Sequence, residues 1–399
     1  MTIIFSPWFI PSLLIGSFLF WAIPQRFRST LLIAGSTVVL FAIQPQFTVF
    51  LVILVALIHA CCNALQQKRN RELETRNLRL ATLAVASLVV ALITFRYLPE
   101  FLLALHLEES ELAKTYLVPL GISYLTFKLI AFTLDVYRGE IKDPSLPDLM
   151  EFVLFVPIFP AGPIQRFQEF VALRSSTITS TDIVAGLARM SVGYFKKIVL
   201  VGVLLQPVAY GPLLGQIAYG HDLAAISTHV LIWFLIAALI YAYLDLSAYA
   251  DIAIGASRLF GYRIMENMNY PLLRPNLAEY WRCWHISLSN WCRNNIYMPV
   301  LGKTRKPTLA LFSSFIVMGM WHQISLTWLC WGMWHASGIW LYGRWRRTTI
   351  AAWIKHHLST PVAYALGTAT TVLYSALGFA FIMVPSAGQS FRLLWEIFV

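Results

Sequence analysis

"MGMWHQISLTWLCWGMWHASGIW", residues 318–340, contains no Asp, Glu, Lys or Arg, yet it carries two histidines, His322 and His335. Two successive apolar segments that each hold an imidazole read as helices in lipid, where ionisable groups are costly and rarely without purpose. The remainder of the chain supports that solvent. Of 399 residues, 58% are hydrophobic and only 12% charged, against about a quarter charged in a soluble domain. With these two, the apolar stretches lie at 7–24, 30–43, 47–65, 78–95, 116–136, 190–212, 226–246, 307–325, 326–342 and 361–383. Each bilayer crossing takes ~20 apolar residues, so the expectation is an all-α polytopic membrane protein with about ten to eleven transmembrane helices. Re-entrant and interfacial helices are expected beside them.

The net charge of +11 raises the question of nucleic acid. The basic residues cluster beside apolar spans instead of forming a soluble basic face, so nucleic acid is not expected as a partner. They set topology and attract anionic lipids or an anionic cytosolic donor. Basic and non-basic loops alternate: Arg26 and Arg28, then Gln44-Pro45-Gln46, then Lys68, Arg69, Arg71, Arg76 and Arg79, then the acidic "HLEESELAK" (106–114), then Arg138 and Lys142. The positive-inside rule therefore places the N-terminus outside. No positive n-region or small-residue cleavage signal precedes Arg26, so 7–24 reads as a retained first span. The five cysteines (Cys61, Cys62, Cys283, Cys292, Cys330) show no CxxC pair, and neither a metal site nor a disulfide framework is expected.

Two stretches break the simple pattern. Residues 149–170, "LMEFVLFVPIFPAGPIQRFQEF", are apolar but interrupted by three prolines and a glycine; a continuous helix would lose backbone hydrogen bonds at each proline. A broken or re-entrant segment lining a cavity is expected. Residues 261–306 are basic and amphipathic, with Arg263, Arg274, Arg282, Arg293, Lys303, Arg305 and Lys306 against Glu266 and Glu279. Helices lying at the cytosolic interface fit them.

Within that second stretch, "RCWHISLSNWCRNNIYMP" (282–299) sets His285 among aromatic rings, arginines and asparagines. As a helix over 276–298, Trp281, His285 and Leu288 would share one stripe and Tyr280, Trp284 and Trp291 a neighbouring one. Taken alone, this is either an interfacial aromatic belt with a carbonyl-bonded histidine or a polar site. His322, fifteen residues beyond Pro307, would sit ~22 Å from the cytosolic face at 1.5 Å per residue, in the outer half of the membrane. His335, on the returning segment, would lie nearer the middle. A neutral imidazole at the foot of a water-filled pocket suits general-base work; the alternative is a core histidine bonded to a neighbouring helix. Lys128 is expected to pair with Asp135 or to snorkel. Asp245 and Asp251 are expected to cap helices and hold neighbouring segments. No Walker loop, GxGxxG or serine-nucleophile motif occurs, which argues against a P-loop ATPase and a dinucleotide enzyme.

Four segments in order, "PLGISYLTFKLIAFTLDVYRGE" (119–140), "FPAGPIQRFQEF" (159–170), the stretch "DLSAYADIAIG…NNIYMPVLGK" (245–303) and "GMWHQISLTWLCWGMWHASG" (319–338), resemble the membrane-bound O-acyltransferase (MBOAT) superfamily. The similarity is to its bacterial branch of alginate O-acetyltransferases and teichoic-acid D-alanyltransferases. It implies one membrane domain over 1–399, with N-terminal spans (1–113), a catalytic core (114–345) and a C-terminal basic loop and final span (346–399). It also implies a tunnel in which a cytosolic thioester meets an extracytoplasmic hydroxyl. The family's two marked histidines fall on His285 and His322: His322 as the base, His285 on the donor path. On this resemblance Trp284 and Trp321 narrow the passage, Arg282 and Arg293 attract donor phosphates, and Asn294 or Asn295 is a candidate for stabilising the oxyanion; His335, from its position within the apolar segment, is taken as a further substrate-binding residue. No tightly bound cofactor is implied. The co-substrate would be acetyl-coenzyme A or a phosphopantetheinyl carrier protein.

Three departures stand out. The family commonly has aspartate in an "RDY" where this chain reads Arg293-Asn294-Asn295; glycine commonly follows the second histidine, here Gln323; and a basic "GGN" loop is shortened to Leu301-Gly302-Lys303. The expected protein is a bacterial inner-membrane O-acyltransferase adding acetyl groups to a cell-surface or exported polysaccharide. Its expected partners are membrane lipids, that polysaccharide, and an acyl carrier protein or periplasmic acetyltransferase. D-alanyl transfer to a teichoic-acid-like acceptor is the alternative within the class, and a polysaccharide or small-molecule transporter the alternative outside it.

Overall fold

The computed structural model describes residues 6–65, 71–98, 119–160, 162–219, 223 and 226–399. Lys68, Arg69 and the acidic 106–114 loop, on which part of the topology reading rests, lie outside the described residues. Among the described residues the chain is helical apart from turns, loops and one isolated bridge between Arg174 and Tyr262. Among the described residues six helices are long and apolar enough to cross a bilayer: Gln25–Ile43, Pro45–Leu65, Leu73–Tyr97, Ser180–Ala209, Thr228–Leu259 and Thr360–Met383. Phe9–Ala22 is apolar but shorter. Ile122–Tyr137 and Pro307–His322 have 16 residues each, about 24 Å of helix, short of the ~30 Å hydrocarbon core. The ten apolar stretches are thus present as helices, while the ten to eleven full crossings are not all reached by length and composition. The outward faces carry large apolar side chains, such as Phe18 (73% exposed) and Val38 (68%), as expected where lipid is the solvent.

The chain separates into two compact units, residues 1–191 with 251–265, and residues 192–250 with 266–399. In the first, aromatic packing dominates. Phe152 meets Phe167 and Phe170 edge to face at 5.6 and 5.4 Å, and Phe170 stacks on Tyr262 at 4.7 Å. The proline-interrupted stretch is broken as its sequence requires: helix Leu146–Leu154, a short 3-10 turn Val156–Ile158, then helix Phe167–Ala172. Within it, Phe152, Val153, Leu154 and Phe155 are at most 1% exposed, packed among the rings of Phe167, Phe170 and Tyr262.

Buried charge in this unit is matched. Asp135 receives Arg166 at 2.9 Å and Arg138 at 3.5 Å; Glu151 receives Arg174 at 3.2 Å; Asp251 receives Arg189 at 2.5 Å. Lys128 departs from its expected pairing with Asp135. Its ammonium donates to the Phe152 carbonyl at 2.9 Å and lies 4.5 Å from that residue's ring centroid. Asp135 is taken by two arginines, and the carbonyl plus the ring face offer the buried cation what snorkelling to water would.

In the second unit, Pro307 supplies the first turn of Pro307–His322, where its missing N–H costs nothing. That helix returns after a tight turn as Leu326–Trp345, whose N-cap Ser325 accepts from the Trp328 amide at 3.4 Å. The pair approaches closely. A Cβ on Gly319 would come within 2.3 Å of the Trp328 carbonyl oxygen, and one on Gly332 within 2.4 Å of that of Phe315, so only glycine permits this packing. Trp334 and Tyr374 then bind Leu326–Trp345 to Thr360–Gly378: each donates to the other's backbone carbonyl, at 3.0 and 2.7 Å. Also in this unit, Lys197 pairs with Asp245. Asp245 and Asp251 therefore tie helices together, as expected of them.

Candidate active site

His285 does not continue a helix. The expected helix over 276–298 is interrupted there: Leu277–Cys283 ends, His285 adopts left-handed backbone (φ 43°, ψ 53°), and Ile286–Cys292 begins. A residue with a Cβ in that region stores roughly 1–3 kcal/mol, a cost usually met at functional positions. The surrounding hydrogen bonds impose it. The Ile286 amide donates to the Asn267 carbonyl at 2.8 Å, the Ser287 hydroxyl to the Asn267 side-chain oxygen at 2.8 Å, and the Asn269 amide to the Cys283 carbonyl at 2.9 Å. The break turns the imidazole inward, where it is 2% exposed. Burial pushes its pKa down to about 4, so the ring is neutral at physiological pH.

His285, His322 and His335 line one cavity of about 90 Å³, room for roughly three water molecules. His322 is the last residue of its helix and only half-buried. The tight turn to Ser325 folds Trp328 back over it, with the rings stacked 4.5 Å apart at 19°. Trp331 meets His322 edge-on at 5.7 Å and His335 at 4.8 Å. His335 is 2% exposed and also faces Trp281 at 5.0 Å. The cavity therefore brings one half-buried imidazole together with two buried ones among indole rings.

Other expected site residues fall differently. Trp284 lines the cavity and stacks on Tyr280 at 5.4 Å. Trp321 is not in the wall; it backs the site, its ring 4.7 Å from His322 and 6.4 Å from His285. Arg282 and Arg293 are exposed, and neither they nor Asn294 and Asn295 line the cavity. Asn294 accepts from Arg293 at 3.3 Å, and the Asn295 amide donates to the Trp291 carbonyl at 3.1 Å. These asparagines sit in a π-helical turn, Arg293–Tyr297, and do not face the histidines across the cavity as an oxyanion role would need. Reasoning from sequence missed Trp328 and Trp331, which join the wall. Their spacing held the signal: Trp328, Trp331 and His335 are three and four residues apart and share one helix face.

The sequence model of the membrane-bound O-acyltransferase family matches residues 41–383. Among curated proteins, the chain is 36% identical over 236 residues to the "Probable alginate O-acetylase" of Pseudomonas fluorescens, covering 56% of this chain and 44% of that protein. It is 27% identical over 235 residues to a teichoic acid D-alanyltransferase of Bacillus subtilis (54% of this chain, 57% of that one). It is 28% identical over 258 residues to a peptidoglycan O-acetyltransferase of Helicobacter pylori (56% and 47%). The match spans about half the length of these relatives.

Proposed function

Because the chain belongs to the membrane-bound O-acyltransferase family, we propose that it transfers a short acyl group, acetyl, from a cytosolic thioester to a hydroxyl of a cell-surface or exported polysaccharide. The observation that carries this reading is the half-buried His322 on a cavity it shares with buried His285. A hydroxyl arriving at the rim gives its proton to His322 and attacks the thioester carbonyl, while neutral His285 and the Trp284–Tyr280 stack flank the donor's approach. Arg282 and Arg293, exposed on the same stretch, supply positive charge for coenzyme A phosphates or for an acidic carrier. Among the described residues the wall of this cavity of about 90 Å³ contains no carboxylate, which favours acetyl over a D-alanyl group bearing an ammonium.

The reading places the protein in a bacterial inner membrane, with the N-terminus extracytoplasmic and the 66–79 loop cytosolic. The test is a deletion strain complemented with the wild-type gene or with His322→Ala. Ester content of the surface polysaccharide should return only with the wild-type gene, and a tag in the 66–79 loop should be shielded from periplasmic reagents. A transporter would alter the amount of exported polymer and leave its ester content per sugar unchanged; that outcome rejects the proposal.

A further inference from the structure

Three polar atoms in the cavity wall have no hydrogen-bond partner among the described residues: Nε1 of Trp281, Nε1 of Trp331 and Nδ1 of His335. Their side chains are 6%, 6% and 2% exposed, so water outside the cavity does not serve them. The rings close a triangle. Centroids lie 5.7 Å apart for Trp281–Trp331, 5.0 Å for Trp281–His335 and 4.8 Å for Trp331–His335, with interplanar angles of 64° to 80°. A buried donor left unmet costs about 1–3 kcal/mol, and an indole N–H can only donate. Trp334, on the same helix as Trp331 and His335, shows the ordinary solution: its N–H reaches the Tyr374 carbonyl at 3.0 Å. The cavity tryptophans lack that solution, and one of them, Trp331, lies 5.7 Å from the His322 ring.

Resting on the acyl-transfer reading, we propose that the indole N–H groups of Trp281 and Trp331, with His335 in its Nδ1–H tautomer, form the site that receives the carbonyl oxygen of the acyl group. As the acceptor hydroxyl oxygen bonds to the carbonyl carbon, its proton passes to His322 and the C=O π pair moves onto oxygen. That oxyanion accepts from the indoles and the imidazole. Its collapse restores C=O, breaks the C–S bond, and the leaving thiolate takes the proton back from His322. The donors are fixed by aromatic packing before substrate arrives, which is what makes such a site effective.

The experiment uses the full chain in liposomes, with acetyl-coenzyme A carrying 13C at the thioester carbonyl as probe, read by isotope-edited infrared difference spectroscopy. In the wild type the bound carbonyl band should fall below its frequency in water. Trp331→Phe and Trp281→Phe keep a ring and delete the N–H; each should return the band toward the free position and lower kcat by about 10²- to 10³-fold with KM little changed. His335→Gln, which can still donate, should retain most of the shift. His322→Ala should keep the shifted band while losing turnover. A shifted band that is indifferent to both indole substitutions overturns this inference alone. No bound band in the wild type removes the acetyl-coenzyme A reading and this inference together.

Discussion

The two compact units bury different kinds of ionisable side chain. Among the described residues the buried charges Lys128, Asp135, Glu151 and Asp251 all belong to the first unit, and each is met by an opposite charge or a carbonyl. Among the described residues of the second unit the buried titratable side chains, His285, His335, Tyr249, Tyr280 and Cys292, are ones that can be neutral, and in the cavity wall Nε1 of Trp281, Nε1 of Trp331 and Nδ1 of His335 have no hydrogen-bond partner among the described residues. A carboxylate or ammonium taken out of water must be paired where it lies, and once paired it is committed to architecture. A neutral imidazole or an indole costs far less to bury, so it can wait for a ligand.

The comparison breaks at its strongest point if His322 proves dispensable. His322→Ala should lower turnover by about 10²- to 10⁴-fold while leaving the thermal unfolding midpoint of the purified chain unchanged. Next in size is the opposite kind of change in the first unit. Arg174→Ala leaves the Glu151 carboxylate, 1% exposed, without its counter-charge and should destabilise by about 3 kcal/mol; adding Glu151→Gln should recover part of that loss in denaturation measurements. His285 gives a pH signature. Its folded pKa near 4 lies below the ordinary 6.5, so between those values the unfolded chain binds the extra proton. Its contribution to stability is complete above about 6.5 and fades as pH falls toward 4. Unfolding midpoints measured across that window should fall more steeply for the wild type than for His285→Asn. The smallest effect belongs to the cap: Ser325→Ala should cost about 1 kcal/mol and loosen the turn that stacks Trp328 on His322, visible as a modest fall in both the midpoint and kcat.

Much of the fold was legible because lipid imposes a simple code. Long apolar runs became helices, the prolines of 149–170 broke theirs, and Asp245 and Asp251 held helices together. A helix does begin at Pro307, and His322 is its last residue. The break at His285 was hidden, since no glycine or proline marks it; it is dictated by hydrogen bonds from Asn267 and Asn269, eighteen and sixteen residues upstream of it. Asn294 and Asn295, candidates through the family resemblance alone, lie outside the wall of the histidine cavity and make local contacts to Arg293 and Trp291. Lys128 was misassigned because the Phe152 carbonyl that receives it belongs to a segment whose path only the prolines' breaks determine. Trp328 and Trp331 were readable from helical spacing, had His335 been taken as the origin.

Building residues are separate from working ones in this chain, and one paired measurement tests that: specific turnover and thermal midpoint of the liposome-reconstituted chain for His322→Ala beside Arg174→Ala. The prediction is a crossing, with His322→Ala inactive at wild-type stability and Arg174→Ala destabilised at near wild-type turnover per folded molecule. If His322→Ala retains wild-type turnover, or loses it only in proportion to a collapse in stability, the histidine is a packing residue and the account is wrong.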